Sequence, residues 1–310
     1  MKAFITGGAG FIGSHLAQRL LEQSGNSVTV YDNLSSGKKS NLPSSDRLRM
    51  VKADALDLPT LKSAMKGHEV VFHLSTNPDT ARGLIETDLD LKQGTVATYN
   101  VLEAMRINNI PTIVFPSGSG VYGEVGDKIV AENYGPLLPV SMYGATKLAS
   151  EAMISCFCDA FGMRGYILRL GNVVGDKLTH GVIFDFIRKL KTAPQRLTVL
   201  GDGKQTKPYI HVDDVIDAMF LLLDKSKDRI NLYNVATDDW PTVTWIANTV
   251  IQEMGLKDVE IEYTGSDRGW KGDVPIIKLD ASRIKRLGWR ARYTSKEAIT
   301  RAIRASLKEE

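Results

Sequence analysis

The chain has 310 residues, 43% of them hydrophobic, enough to bury a sizeable core in one large domain or two smaller ones. Its 39 basic and 36 acidic residues leave a formal charge of only +3, too mild and too evenly spread for a nucleic-acid-binding or membrane-binding surface. No signal peptide stands before the first strand and no uninterrupted apolar run nears the roughly 20 residues of a membrane span, so the expectation is a cytoplasmic protein.

Short apolar runs then alternate with helical stretches. Ala3-Phe4-Ile5 is followed by a helix over Phe11–Leu21, then by Val28-Thr29-Val30-Tyr31 and Val70-Val71-Phe72. Further strands read at 112–115 and 166–168, preceded by helices over 87–105 and 142–161. This rhythm predicts an α/β chain: a Rossmann-type, doubly wound parallel sheet over residues 1–170 with helices on both faces. Beyond about Gly171 the rhythm loosens. Helices at 213–223, 242–253 and 295–307 and a strand at 231–235 predict a smaller C-terminal α/β substrate-binding lobe over 171–310, interleaved with the first domain. Cys156 and Cys158 lie two apart on a predicted helix, point in different directions and read as reduced thiols.

The sharpest local signal is Thr6-Gly7-Gly8-Ala9-Gly10-Phe11-Ile12-Gly13, placed where the first strand ends and the first helix begins. Gly8, Gly10 and Gly13 satisfy the G-x-G-x-x-G spacing of a dinucleotide site: a tight turn, a close backbone approach to pyrophosphate, and helix–strand packing. Asp32 ends the second apolar run, where a carboxylate accepts from the adenosine ribose hydroxyls and repels a 2′-phosphate. The expected cofactor is therefore NAD, with Lys38 and Lys39 nearby keeping NADP as the alternative.

A second constellation, Tyr143-x-x-x-Lys147, opens the helix over 142–161. Four residues put both side chains on one helix face. A tyrosine ordinarily ionises near pH 10, but an ammonium and a positively charged nicotinamide beside it favour the phenolate, which can take a hydroxyl proton while hydride leaves the same carbon. His73 and His211 read as packing and capping residues, and no His, Cys, Asp or Glu set has metal-ligand spacing.

Taken with Val121-Tyr122-Gly123, Arg169-Leu170-Gly171-Asn172, Tyr209-Ile210-His211-Val212-Asp213-Asp214 and Arg268-Gly269-Trp270-Lys271-Gly272-Asp273, these motifs resemble the extended short-chain dehydrogenase/reductases, in particular their nucleotide-sugar epimerase and dehydratase group. Nearly the whole chain is covered. The resemblance implies cofactor contacts from Gly7, Gly10, Phe11, Ile12, Asp32, Asn33, Ser35, Ser36, Gly37, Asp54, Ala55, Leu74 and Ser75, with Tyr143 and Lys147 at the nicotinamide end. Asn172, Lys207, Tyr209, Arg268 and Asp273 would meet the sugar nucleotide.

The implied reaction is 4-epimerisation of a nucleotide sugar, UDP-glucose to UDP-galactose or their N-acetyl forms, through a transient 4-keto sugar with Tyr143 as base and then acid. Dehydratases of the group carry an Asp-Glu pair where this chain has Ser119 and Gly120, and decarboxylases likewise want a Glu there. Another nucleotide-sugar enzyme, or a non-catalytic dinucleotide sensor, stays open beside the epimerase. The group's Ser or Thr that bonds the reacting oxygen is replaced by Gly118, leaving Ser117 or Ser119 as catalytic candidates. A homodimer through the two long helices is also implied.

Overall fold

A computed structural model describes residues 1–308. Its strands are β1 (Lys2–Thr6), β2 (Ser27–Asp32), β3 (Leu48–Lys52), β4 (Val70–His73), β5 (Thr112–Gly118), β6 (Ile129–Val130), β7 (Arg164–Leu170), β8 (Asn172–Val174), β9 (Arg196–Val199), β10 (Tyr209–His211), β11 (Ile230–Val235), β12 (Glu260–Tyr263) and β13 (Lys278–Leu279). The helices are α1 (Phe11–Leu21), α2 (Leu58–Met65), α3 (Thr87–Asp90), α4 (Ala97–Ile107), α5 (Met142–Phe161), α6 (Val182–Thr192), α7 (Val212–Lys225), α8 (Val243–Glu253), α9 (Ser282–Arg286) and α10 (Ser295–Ser306).

Seven strands form one sheet in the order β11-β7-β5-β4-β1-β2-β3, with every pairing parallel. A parallel sheet is buried on both faces, so its strands split their side chains between two cores. In β1, Ala3 and Ile5 pack beneath α1 and α7, while Phe4 faces α2, α4 and α5. Strand order reverses between β1 and β4, the kind of switch point at whose carboxyl strand ends doubly wound sheets bind their ligands. A third core gathers α6, α8, α10, β9 and β10 into the smaller lobe.

Two expectations are corrected. Residues 231–235, assigned to the C-terminal lobe, lie in β11, the edge strand of the main sheet, and α7 packs on that sheet as well. A short strand such as β11, with sequence INLYNV, carries no local mark of which sheet it joins. The single helix expected over 87–105 is α3 and α4 joined by a π-helical stretch, Leu91–Val96. Gly94 within that stretch presses on α5: a Cβ there would lie 2.7 Å from Thr146 Oγ1. A widened turn recurs near functional sites, and hydrophobic period alone does not register it. β3, not expected, is an edge strand whose apolar run is broken by the exposed Arg49 and Lys52.

Gly94→Ala should therefore force the π stretch off α5 and cost about 1–3 kcal/mol through overpacking, seen as a lower urea midpoint at unchanged slope.

Candidate active site

The turn from β1 into α1, beside the end of β4, is built by residues without room for side chains. Gly7 has a φ of +67°, and a Cβ on it would sit 2.7 Å from the Ser75 amide nitrogen. A Cβ on Gly13 would collide with the Gly7 carbonyl. The tight-turn glycine is thus Gly7 rather than Gly8, whose α-carbon instead faces Val30 across β2. Gly10 caps α1 with no side-chain hydrogen bond, so no capping side chain serves the first amides of that helix, at Phe11 and Ile12, an arrangement suited to an anion.

Asp32 ties this turn together. Its carboxylate accepts from Ala9 N at 3.0 Å and Leu34 N at 2.8 Å. Gly37 packs on Ala9, and Lys38 N donates to Ala9 O at 3.1 Å. Asn33 donates to Asp54 Oδ2 at 2.8 Å and accepts from Ser35 N at 2.9 Å, while Ser36 is exposed. Ala55 follows Asp54 in the loop after β3, and Leu74 N donates to Thr6 O at 3.1 Å at the end of β4. A backbone cradle, an uncapped helix start and a carboxylate at the end of β2 suit NAD.

The chemistry-bearing helix is α5. Ser141 caps it, accepting from Gly144 N at 3.0 Å, and Gly162 ends it with a left-handed φ of +68°. Tyr143, Lys147 and Glu151 follow at spacing four on one face. Lys147 is 6% exposed; its Nζ donates to Pro116 O at 2.9 Å and lies 5.5 Å from the centre of the Tyr143 ring. Burial pulls its ammonium down to about 8, against the opposing charge of Glu151. Burial and then the negative charge of Asp90 push the Tyr143 hydroxyl up to about 12. One turn below, Glu151 takes a bidentate pair from Arg169, with Nη2 to Oε2 at 2.7 Å. Glu151 stands four residues beyond Lys147, a spacing visible in the sequence although no motif of the resemblance includes it.

Ser117 belongs to that lower pair. It is 4% exposed and donates to Glu151 Oε1 at 2.5 Å, so its hydroxyl is committed to the buried carboxylate rather than to the opening. Gly118 is extended, with nothing within 4 Å of a Cβ built on it. Ser119 starts the turn beside it and is half-buried. His73 is sealed between Thr6 Oγ1 at 2.8 Å and Thr98 Oγ1 at 3.0 Å; burial and then Lys147 hold it down at about 3, a neutral packing residue.

The smaller lobe brings its candidates to the same end. Asn172 and Tyr209 are register partners of β8 and β10, with the Tyr209 hydroxyl hydrogen-bonded to Asn172 and pushed up to about 12 by burial. Lys207 Nζ pairs with Asp273 at 2.5 Å, and Arg268 with Glu124 at 2.5 Å. Gly272 lies against Val140 O, so the loop over 268–273 rests on the residues entering α5. Both candidate phosphate cations therefore have acid partners, Glu124 being one that motif reading does not reveal. No helix among the described residues is long and apolar enough to cross a membrane, and no metal-ligating group of three occurs among them.

A dinucleotide cradle at a strand-order switch, facing a Tyr-Lys pair on one helix, defines an NAD-linked redox site of the short-chain type. The chain belongs to the NAD dependent epimerase/dehydratase family, which it matches over residues 3–236. It is 31% identical to a UDP-glucose 4-epimerase of Mycolicibacterium smegmatis, over 98% of this chain and 97% of the relative. A Thermus thermophilus UDP-glucose 4-epimerase solved with NAD superposes with a TM-score of 0.90 at 30% identity, covering 100% of both chains. The Thermotoga maritima UDP-glucose 4-epimerase solved with UDP-glucose gives 0.90 at 29% identity, covering 100% of this chain and 99% of that one.

Two outcomes follow from this geometry. Gly118→Ser should fold with stability within about 0.5 kcal/mol of the parent, because its backbone and surroundings accept a side chain; thermal melting checks this. In the free enzyme kcat/KM should fall as pH rises through about 8, as Lys147 loses the charge that favours the phenolate.

Proposed function

We propose that the protein is an NAD-dependent nucleotide-sugar 4-epimerase that interconverts UDP-glucose and UDP-galactose or their N-acetyl forms. The observation that carries this reading is the Tyr143–Lys147 pair beside a Ser119-Gly120 stretch that holds no carboxylate. One acid–base group suffices to oxidise and re-reduce a single carbon, whereas dehydration needs a further acid and base.

Bound NAD supplies the acceptor and donor of hydride. Tyr143 takes the proton of the C4 hydroxyl as the 4-keto sugar forms, with the Lys147 ammonium favouring the phenolate. The sugar turns about its link to the diphosphate so that the hydride would return to the other face of C4, and Tyr143 gives the proton back to the C4 oxygen. Lys207 and Arg268 hold the diphosphate by exchanging their bonds to Asp273 and Glu124 for phosphate oxygens. Asn172 and Tyr209, register partners on β8 and β10, would meet the sugar nucleotide. Because Ser117 serves Glu151 and position 118 has no side chain, Tyr143 acts on the substrate hydroxyl with Ser119 as the other hydroxyl-bearing residue of that loop.

The enzyme is read as a homodimer. Exposed Tyr99 and Phe161, with Phe157 bridging them by ring contacts, make an apolar strip on the outer faces of α4 and α5. Two unbridged thiols, Cys156 and Cys158, fit a cytoplasmic location.

Purified protein loaded with NAD should interconvert the two UDP-hexoses without added cofactor. Tyr143→Phe should lower kcat by roughly 10²–10⁴-fold with a modest change in KM; undiminished activity in that variant, measured by separating the isomers, would refute the mechanism.

A further inference from the structure

Beside the cofactor turn, the smaller lobe sends back a short loop that the mechanism above does not use. Gly175, Asp176 and Lys177 follow β8. A Cβ on Gly175 would lie 3.3 Å from the Phe11 ring, so this backbone packs closely against the first residue of α1. Asp176 Oδ1 lies 2.9 Å from Nε2 of His15, one turn further along that helix. Lys177 Nζ donates to Asn41 O at 3.2 Å, and Asn41 Nδ2 donates to Ala9 O at 3.1 Å. Lys38 N donates to the same carbonyl oxygen and Asp32 accepts from Ala9 N, so the peptide groups on both sides of Ala9 are fixed. Lys177 takes a left-handed φ of +61°, which a non-glycine residue keeps only where its surroundings impose it.

The contacts of His15 define its charge. Nδ1 faces Phe11 O at 2.9 Å and Nε2 faces the Asp176 carboxylate, so both ring nitrogens meet acceptors. A neutral imidazole carries a single N–H, and only the imidazolium satisfies both. Burial works against that charge, but the bonds to Asp176 and Phe11 O outweigh it and hold the ring above the usual histidine value, with Lys177 opposing. Asp213, at the start of α7, also acts on His15 and pairs with His211 at 3.4 Å. Arg19, the next turn of α1, is tied to Asp217, and the Phe11 ring meets the imidazole edge-on at 5.5 Å.

We propose that His15 and Asp176 are positioning residues for cofactor retention: with Lys177 they strap the smaller lobe onto the turn over 7–13 that would take the pyrophosphate, and NAD leaves only after the strap opens. The bond is charge-assisted and joins segments 161 residues apart, so breaking it frees the loop from α1. The proposal rests on the epimerase reading, in which the nicotinamide accepts a hydride and gives it back before any release. Loss of the reduced cofactor between those transfers would strand the 4-keto sugar without its hydride. A dehydrogenase that exchanges its cofactor in every turnover has no use for such a strap.

Protein loaded with labelled NAD and chased with unlabelled NAD, in the absence of sugar nucleotide, reads release directly. Asp176 is half-exposed, and Asp176→Ala is expected to keep its fold by circular dichroism. That variant should release NAD roughly 10-fold faster than the parent, the loss of one hydrogen bond to a charged group. Release from the parent should quicken as pH rises through the His15 value, because the strap holds while the ring is charged and weakens when it loses its proton. His15→Gln keeps a neutral donor for Asp176 and removes the titration, so its release should not vary over that range. Release from Asp176→Ala at the parent's rate would overturn the proposal, as would a pH dependence in His15→Gln equal to the parent's. If the parent does not epimerise UDP-hexoses, the epimerase reading fails while NAD release still decides the role of the strap.

Discussion

Strand order reverses between β1 and β4, and at that reversal the backbone of Gly7 runs against the backbone at Ser75 with no space for a Cβ. The helix that follows, α1, starts at Gly10 with no capping side chain for its first amides. Asp32 braces the turn from the neighbouring strand by accepting from two backbone amides. The cofactor site is thus mostly backbone, held by packing rather than by flexible side chains, which is what a tightly held dinucleotide requires.

Beside that cradle α5 stacks its charges in depth. Tyr143 lies at its first turn, the ammonium of Lys147 is held under it by the Pro116 carbonyl, and the Glu151–Arg169 pair closes the base with Ser117 attached. A buried bidentate pair adds little net stability, yet removing one partner would leave a naked charge. Its value here is geometric: it fixes the helix face on which the tyrosine and lysine stand. The smaller lobe meets this face through the loop over 268–273, which rests on the entry to α5 and pairs Arg268 with Glu124 from the larger domain.

Much of this was legible in the sequence. Five of the seven central strands read as short apolar runs, and α5 reads as a long helix carrying Tyr143 and Lys147, because local pattern and burial agree there. Asp32 and the glycine turn could be placed for the same reason. What escaped depends on contacts between distant segments. Spacing cannot tell that Gly7 rather than Gly8 takes the positive φ, since that follows from Ser75 on β4. β11 joins the main sheet through pairing with β7, a partner 66 residues earlier in the Asn231 to Gly165 contact, which no local pattern encodes. Ser117 looked like a stand-in for the missing hydroxyl at Gly118 until Glu151 was seen to hold it.

The central claim is that one carbon of the sugar gives up its hydride and takes the same hydride back. Incubating the NAD-loaded protein with UDP-glucose deuterated at C4, in ordinary water, tests it directly. The account predicts a UDP-galactose product that keeps its deuterium at C4. Loss of the label to solvent, or isomerisation with the label at another carbon, would contradict it.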